Sequence, residues 1–348
     1  WVLLVAIIAR LAAPVTADLS YLILAVYALL GNQNVIKALI FSWLFNMINS
    51  SIVPNSEYAT IGRYIVIFFS FFSIIVRMNF KNIDKLTLYT LSLGIFFIIH
   101  SIFFSSLPEV SILKAVNWTL TIVTLMIAWS ALSSFQHEIM KRWILGFLLS
   151  VSIVSLPTFF FPEVAYVRSG TGFQGIMSHP MVFGPTMSIL GAIILGQLLE
   201  QKNPSLYLIL VFIGVFILAI LSESRTAVVA IVFSSIIALL FVLIFTRHRI
   251  RNFFPAIRSL KFTIILLSIL ILIIIDSQFT NFADYFISKS NQAYVDGLIN
   301  AYQVSRSVLY EPMIENIIKS PITGVGFGVA SDSQSMRISY DPFFGLPI

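Results

Sequence analysis

Apolar runs of up to about twenty residues recur along almost the whole chain, and they constrain the fold more than any motif does. A helix crossing the hydrocarbon core needs roughly 20 mostly apolar residues. It must also bond every backbone polar group internally, because lipid offers no partner. Runs of this kind lie near 19–31, 35–49, 59–77, 86–104, 111–132, 141–160, 180–199, 205–222, 226–246 and 261–276, with a partial one at 1–13. Only 10% of the 348 residues are charged and 58% are hydrophobic, with a mean hydropathy of +0.96. A soluble domain carries about 25% charged residues, so a soluble fold is excluded. The expected fold class is all-α, a polytopic transmembrane helical bundle of about 10–11 spans. Trp1 opens the chain inside an apolar run, and the amino terminus is read as trimmed rather than as a signal peptide.

Lysine and arginine set the expected orientation. The linkers 77–85, 133–142, 200–204 and 247–261 carry Arg77, Lys81, Lys85, Lys141, Arg142, Lys202, Arg247, Arg249, Arg251, Arg258 and Lys261. Placed on the cytoplasmic side, they leave the intervening linkers nearly free of lysine, as the positive-inside bias requires. The linkers 50–61, 105–110, 161–179 and 222–225 then face outward, with everything after Asp276. Two domains follow: a bundle over 1–276 and an outer, periplasmic segment over 277–348, cut off before further spans. The +6 net charge reports topology, and no basic and aromatic stretch points to nucleic acid. There is no cysteine, hence no thiolate site.

Arginines on the outer face oppose that bias and need another reason to exist. They are Arg63, Arg168, Arg225, Arg306 and Arg337, with Arg10 uncertain in side. Arg225 stands in "LSESRTAVV", a turn of a few residues joining two spans, where a charge at the membrane surface is expensive unless partnered. It either snorkels, pairs with Glu223, or holds a ligand. Arg168 opens "RSGTGFQGIMSHP", whose Gly170, Gly172 and Gly175 let backbone turn tightly or approach an anion closely. The segment lacks the Gly-Lys-Ser/Thr ending of a phosphate-binding P-loop. His179 precedes Pro180, the expected first residue of the next span, and a cap or structural partner outweighs a catalytic base for this lone histidine. The four histidines are scattered, and no Asp-x-Asp pair or other metal-ligand spacing occurs.

Three stretches in order, "RSGTGFQGIMSHPMVFG", "SESRTAVVAIVFSSIIALLF" and "RSVLYEPMIENIIKSPITGVGFG", resemble the O-antigen ligase and O-antigen polymerase superfamily of bacterial membrane glycosyltransferases. The shared pattern is an outer-loop Arg followed by Gly and a His-Pro, a Ser-Arg-Thr at a short outer turn, and an Arg leading to Pro-x-x-Gly-x-Gly. It covers roughly residues 160–330. The resemblance implies a GT-C-like fold and a polymerase or ligase acting on a polyisoprenyl diphosphate-linked glycan donor at the outer face of the inner membrane. The acceptor would be a glycan, lipid or protein; no metal and no cofactor would be needed. On the same grounds Arg168, Arg225 and Arg306 are the catalytic candidates, holding the leaving diphosphate through guanidinium forks. Gly172, His179, Ser224, Tyr310, Glu311 and Gly326 are the substrate-binding candidates.

A base for the acceptor hydroxyl is harder to place. The superfamily's histidine or carboxylate after Gly-x-Gly is expected beyond residue 348. Within the chain Glu311 and Glu315 are alternatives, weaker than a solvated helix face, and Asp341 is weaker still. Residues 283–320 read as amphipathic outer helices that end at Pro321 and form a lid. Most of the 32 Phe side chains lie inside spans and serve core or lipid contact. Trp43, Trp118, Trp129 and Trp143 anchor at interfaces or pack between helices. A polysaccharide-lipid flippase is the alternative function. It would carry ionisable residues near the midplane and an internal repeat, and neither is evident. A non-catalytic scaffold would have no use for outer arginines, and the motifs of cell-wall shape and division glycosyltransferases are not found.

Overall fold

The computed structural model describes residues 1–56, 58–77, 83–200, 205–245 and 310–330. The span expected at 261–276, most of the amphipathic segment, and Arg306, Arg337 and Asp341 lie outside the described residues. The described chain is helical: α1 (Val2–Ala12), α2 (Pro14–Ala28), α3 (Asn32–Met47), α4 (Ala59–Arg77), α5 (Lys85–Phe104), α6 (Pro108–Ser130), α7 (Ser134–Ser155), the four-residue α8 (Pro162–Ala165), α9 (Pro180–Glu200), α10 (Leu206–Leu221) and α11 (Arg225–Phe245). Residues 310–319 form a further helix. Among the described residues one isolated antiparallel bridge, Ile48 with Met177, is the β pairing.

Among the described residues five segments are long and apolar enough to cross a membrane: Ala59–Arg77, Lys85–Phe104, Pro108–Ser130, Ser134–Phe160 and Pro180–Leu198. The shorter apolar helices Val2–Ala12, Pro14–Ala28, Leu206–Leu221 and Arg225–Ser235 fall on the expected runs 1–13, 19–31, 205–222 and 226–246, and α3 falls on 35–49. This is a multi-pass, all-α membrane protein.

The chain divides into two compact units. The first comprises Trp1–Asn46, Val53–Met140 and Gln303–Ile348; the second comprises Met47–Ile52 and Lys141–Tyr302. In the first, α2 packs against α1 and α4, and α6 against α4 and α5. Small residues set these approaches. A Cβ on Gly62 would stand 2.7 Å from Cγ of Tyr21, and one on Gly94 would stand 2.3 Å from Oγ1 of Thr119. Such contacts let helix backbones close up where lipid gives no hydrophobic drive.

Arg10 has a structural task. It is buried, and its guanidinium donates to the carbonyl oxygen of Pro54 at 3.0 Å and to that of Phe45 at 3.4 Å, tying the 48–58 loop to α1. Beside it the Tyr21 hydroxyl donates to Oδ1 of Asn46 at 2.8 Å, and Asp18 accepts from the Ser56 hydroxyl and from the Tyr58 amide at 3.3 Å. At the other end of α4, Ser73 donates to the Ala28 carbonyl at 2.9 Å and Arg77 to that of Leu29. These are the last carbonyls of α2, which a cation stabilises. Asp84 caps α5 by accepting from the Thr87 amide at 2.8 Å, and hydrogen bonding from the Thr87 side chain, then from that amide, holds its carboxyl below the ordinary range.

In the second unit α9 packs against α10 and α11, which also touch each other. The Ser188 hydroxyl donates to the Ala227 carbonyl at 2.8 Å, fixing α9 to the first turns of α11.

Gly94→Val should lower the stability of the detergent-solubilised protein by about 1–3 kcal/mol through overpacking. Adding Thr119→Gly should recover part of that loss in the same thermal unfolding measurement.

Candidate functional site

The second unit brings two of the three motif stretches into contact. After α8 the chain turns at Gly170, whose φ of 74° a side chain rarely adopts. Its amide donates to the Tyr166 carbonyl at 2.8 Å. The Ser169 hydroxyl closes the loop by accepting from the Gly172 amide at 3.0 Å. From there the loop joins the turn between α10 and α11. The Phe173 amide donates to the Leu221 carbonyl at 2.8 Å, and the Thr171 hydroxyl donates to Oε2 of Glu223 at 2.9 Å. Gly172 must be glycine, since a Cβ there would lie 2.9 Å from the Ser222 carbonyl oxygen. Gly184, one turn into α9, is pressed the same way: its Cβ would lie 2.4 Å from that of Ser224.

Behind the loop an aromatic wedge holds it. Phe173 is fully buried, stacked on Phe159 with centroids 3.9 Å apart and edge-on to Phe183 at 5.3 Å. Gln174, also fully buried, donates to the Val164 carbonyl and accepts from the Arg168 amide, both at 3.3 Å. Residues 47–52 brace the far side. The Asn49 amide donates to the Ile176 carbonyl at 2.9 Å, its side chain to the Val164 carbonyl at 2.7 Å, and the Ser178 amide to the Met47 carbonyl at 2.7 Å. Burial in this pocket pushes the Tyr166 phenol above its ordinary pKa.

The candidate residues fall into place on this frame. Arg168 is exposed at the loop's rim. Arg225 is half-buried at the first residue of α11. Ser224 is buried one position earlier, its carbonyl accepting from the Ala227 amide at 2.9 Å as the helix starts. His179 accepts from the Met181 amide through Nδ1 at 3.0 Å, the capping arrangement expected from its place before Pro180. Arg306 is outside the described residues.

Tyr310, Glu311 and Gly326 belong to the first unit. Tyr310 and Glu311 are exposed in the first turn of the 310–319 helix, and Glu315 in its middle forms an exposed pair with Lys319 at 3.0 Å. The segment after this helix docks on the α5–α6 hairpin. The Ser106 amide donates to the Val325 carbonyl at 3.0 Å, Ser111 to the Phe327 carbonyl at 3.1 Å, and the Lys114 ammonium to the Gly328 carbonyl at 2.6 Å. Phe327 stacks on Phe97 with centroids 4.6 Å apart and meets Trp118 edge-on. Gly326 has φ 117°, and a Cβ there would lie 2.2 Å from the Ser105 hydroxyl. Neither this docking nor the Thr171–Glu223 bond is visible in the sequence.

Membrane-crossing helices, with a glycine loop bonded to the Ser-Glu-Ser-Arg turn between two of them, define a multi-pass membrane protein. Residues 208–347 match the O-antigen ligase family. That match falls on the family its motifs resemble. The match spans the Ser-Glu-Ser-Arg turn and the Gly-Val-Gly-Phe-Gly segment, while the Arg168 loop precedes it. No curated protein and no solved structure matches the chain.

Gly184→Ala should force α9 away from Ser224 and lower stability by about 1–3 kcal/mol. Thermal unfolding would read this loss, and the Gly191→Ala control, where the nearest atom is 3.5 Å away, should be nearly neutral.

Proposed function

We propose that this protein is a membrane glycosyltransferase that polymerises or ligates a polyisoprenyl diphosphate-linked oligosaccharide in the making of a bacterial surface polysaccharide. The observation that carries this reading is the joining of the glycine loop to the turn that begins α11. Arg225 stands at the first residue of α11, where the helix dipole favours an anion. Arg168 stands on the same loop and would take the outer edge of the diphosphate. Arg306 is a third candidate on the motif order alone.

The chemistry is inverting or retaining transfer of a glycosyl group to an acceptor hydroxyl. As the bond between the anomeric carbon and the diphosphate oxygen breaks, negative charge builds on the lipid diphosphate. Guanidinium forks bind such oxygens bidentately and stabilise that charge without reorganising. In this reading the arginines supply the positive charge that a metal ion supplies elsewhere. Gly172 lets the backbone lie close to the phosphate, and Ser224, Tyr310, Glu311 and Gly326 line the binding regions of their own units. The long apolar helices leave the lipid tail in the bilayer. The acceptor is a glycan, a lipid or a protein, and the active face is the outer, periplasmic one of the inner membrane.

Wild type in membranes supplied with the lipid-linked donor should transfer glycan. Arg168→Ala, Arg225→Ala and Arg306→Ala at equal expression should each lose about 100-fold or more. Lysine at the same positions should restore a minor part only, because an ammonium is not a fork. Equal transfer by all variants would remove the proposed role. Sidedness has its own check, helped by a chain without cysteine. A single Val167→Cys should react with an impermeant maleimide in intact cells, and a single Ser133→Cys only after permeabilisation.

A further inference from the structure

The acceptor hydroxyl needs a group to take its proton, and Glu223 has features that the fold alone does not call for. It follows Ser222, the last residue in right-handed geometry after α10, and its amide donates to the Ile220 carbonyl at 2.9 Å. Its φ is 51°, and it is the non-glycine residue with positive φ among the described residues. This is the position where helices usually place glycine or asparagine. A glutamate there carries a Cβ penalty that glycine would not, and such strain concentrates at functional sites. The side chain is also held. It is half-buried, and Thr171 of the glycine loop donates to its Oε2 at 2.9 Å. That bond orients the carboxylate through Oε2, and no hydrogen bond to Oε1 is seen among the described residues. Arg225 follows two residues later, so the carboxylate stands on the same short turn as the arginine assigned to the diphosphate. The other carboxylates once considered are less suited: Glu311 is exposed, and Glu315 is exposed and paired with Lys319.

We propose that Glu223 is the catalytic base of glycosyl transfer, oriented by Thr171; the inference rests on the glycosyltransferase reading above. The acceptor sugar's hydroxyl oxygen attacks the anomeric carbon as its proton passes to the Glu223 carboxylate. The bond from the anomeric carbon to the diphosphate oxygen breaks, and its electron pair leaves with the polyprenyl diphosphate. The proton then passes from Glu223 to water.

The test compares wild type with Glu223→Gln, Glu223→Gly and Thr171→Val in proteoliposomes, using a lipid-linked oligosaccharide donor with either a glycan acceptor or sodium azide. Azide attacks the anomeric carbon without losing a proton, so it needs no base. Gln keeps an oxygen that accepts from Thr171 but cannot take a proton. It should lower kcat toward the glycan about 100-fold or more, the usual size of a base's contribution, with KM for the donor unchanged. Glycosyl azide formation, read by mass spectrometry, should equal that of wild type. Glu223→Gly should melt at or above the wild-type temperature and show the same loss toward the glycan. Thr171→Val should lose less than about tenfold, since it removes only the orientation of the base.

Glycan transfer by Glu223→Gln within about threefold of wild type, or azide transfer falling in step with glycan transfer, would overturn the assignment and leave the arginine reading standing. Absence of any transfer by wild type would instead remove the glycosyltransferase reading and this inference with it.

Discussion

Lipid supplies no hydrogen bonds, so wherever this backbone leaves a helix, protein atoms must meet its amides and carbonyls. Two segments show how the chain does so. The 168–178 loop takes its partners from buried Gln174, from Ser155 and from residues 47–49. The 325–328 segment takes its partners from the serines and the lysine at the start of α6. Both segments are held largely through main-chain atoms, with one aromatic each, fully buried Phe173 and half-buried Phe327, supplying the apolar anchor. In these two segments the polar side chains mark where the backbone leaves a helix, and both segments carry motif residues.

The helices were legible because a membrane imposes a single rule on length and composition. Ala59–Arg77 and Lys85–Phe104 fall within a residue of the runs read from hydropathy alone. The sign of a charge was legible too, but not its partner. Arg10 is an arginine inside an apolar run, and nothing near it in sequence announces that carbonyls 35 and 44 residues away will receive it. The Phe327–Trp118 contact joins parts of the chain separated by some two hundred residues, and no periodicity reports such a pairing. The meeting of Arg168's loop with the Ser-Glu-Ser-Arg turn came from the family resemblance, since spacing in sequence does not imply it. Within that meeting, the left-handed glutamate was invisible, because a glutamate beside a serine reads as any polar turn.

Close approach through glycine has a cost in versatility and a gain in definition. Gly172 and Gly184 press the loop and α9 against the same two-serine turn, so loop, turn and the start of α11 behave as one piece. A charged side chain mounted on such a piece keeps its position relative to its neighbours, which catalysis by fixed charges requires.

The α5–α6 hairpin grips the carbonyl oxygens of Val325, Phe327 and Gly328. A grip on main chain is indifferent to the letter written at such a position and strict about its shape. Related chains can therefore drift freely at residue 325 while Gly326, wedged against Ser105, stays put. Within one short run of residues, the constraint lies in backbone shape rather than in the chemistry of the side chains.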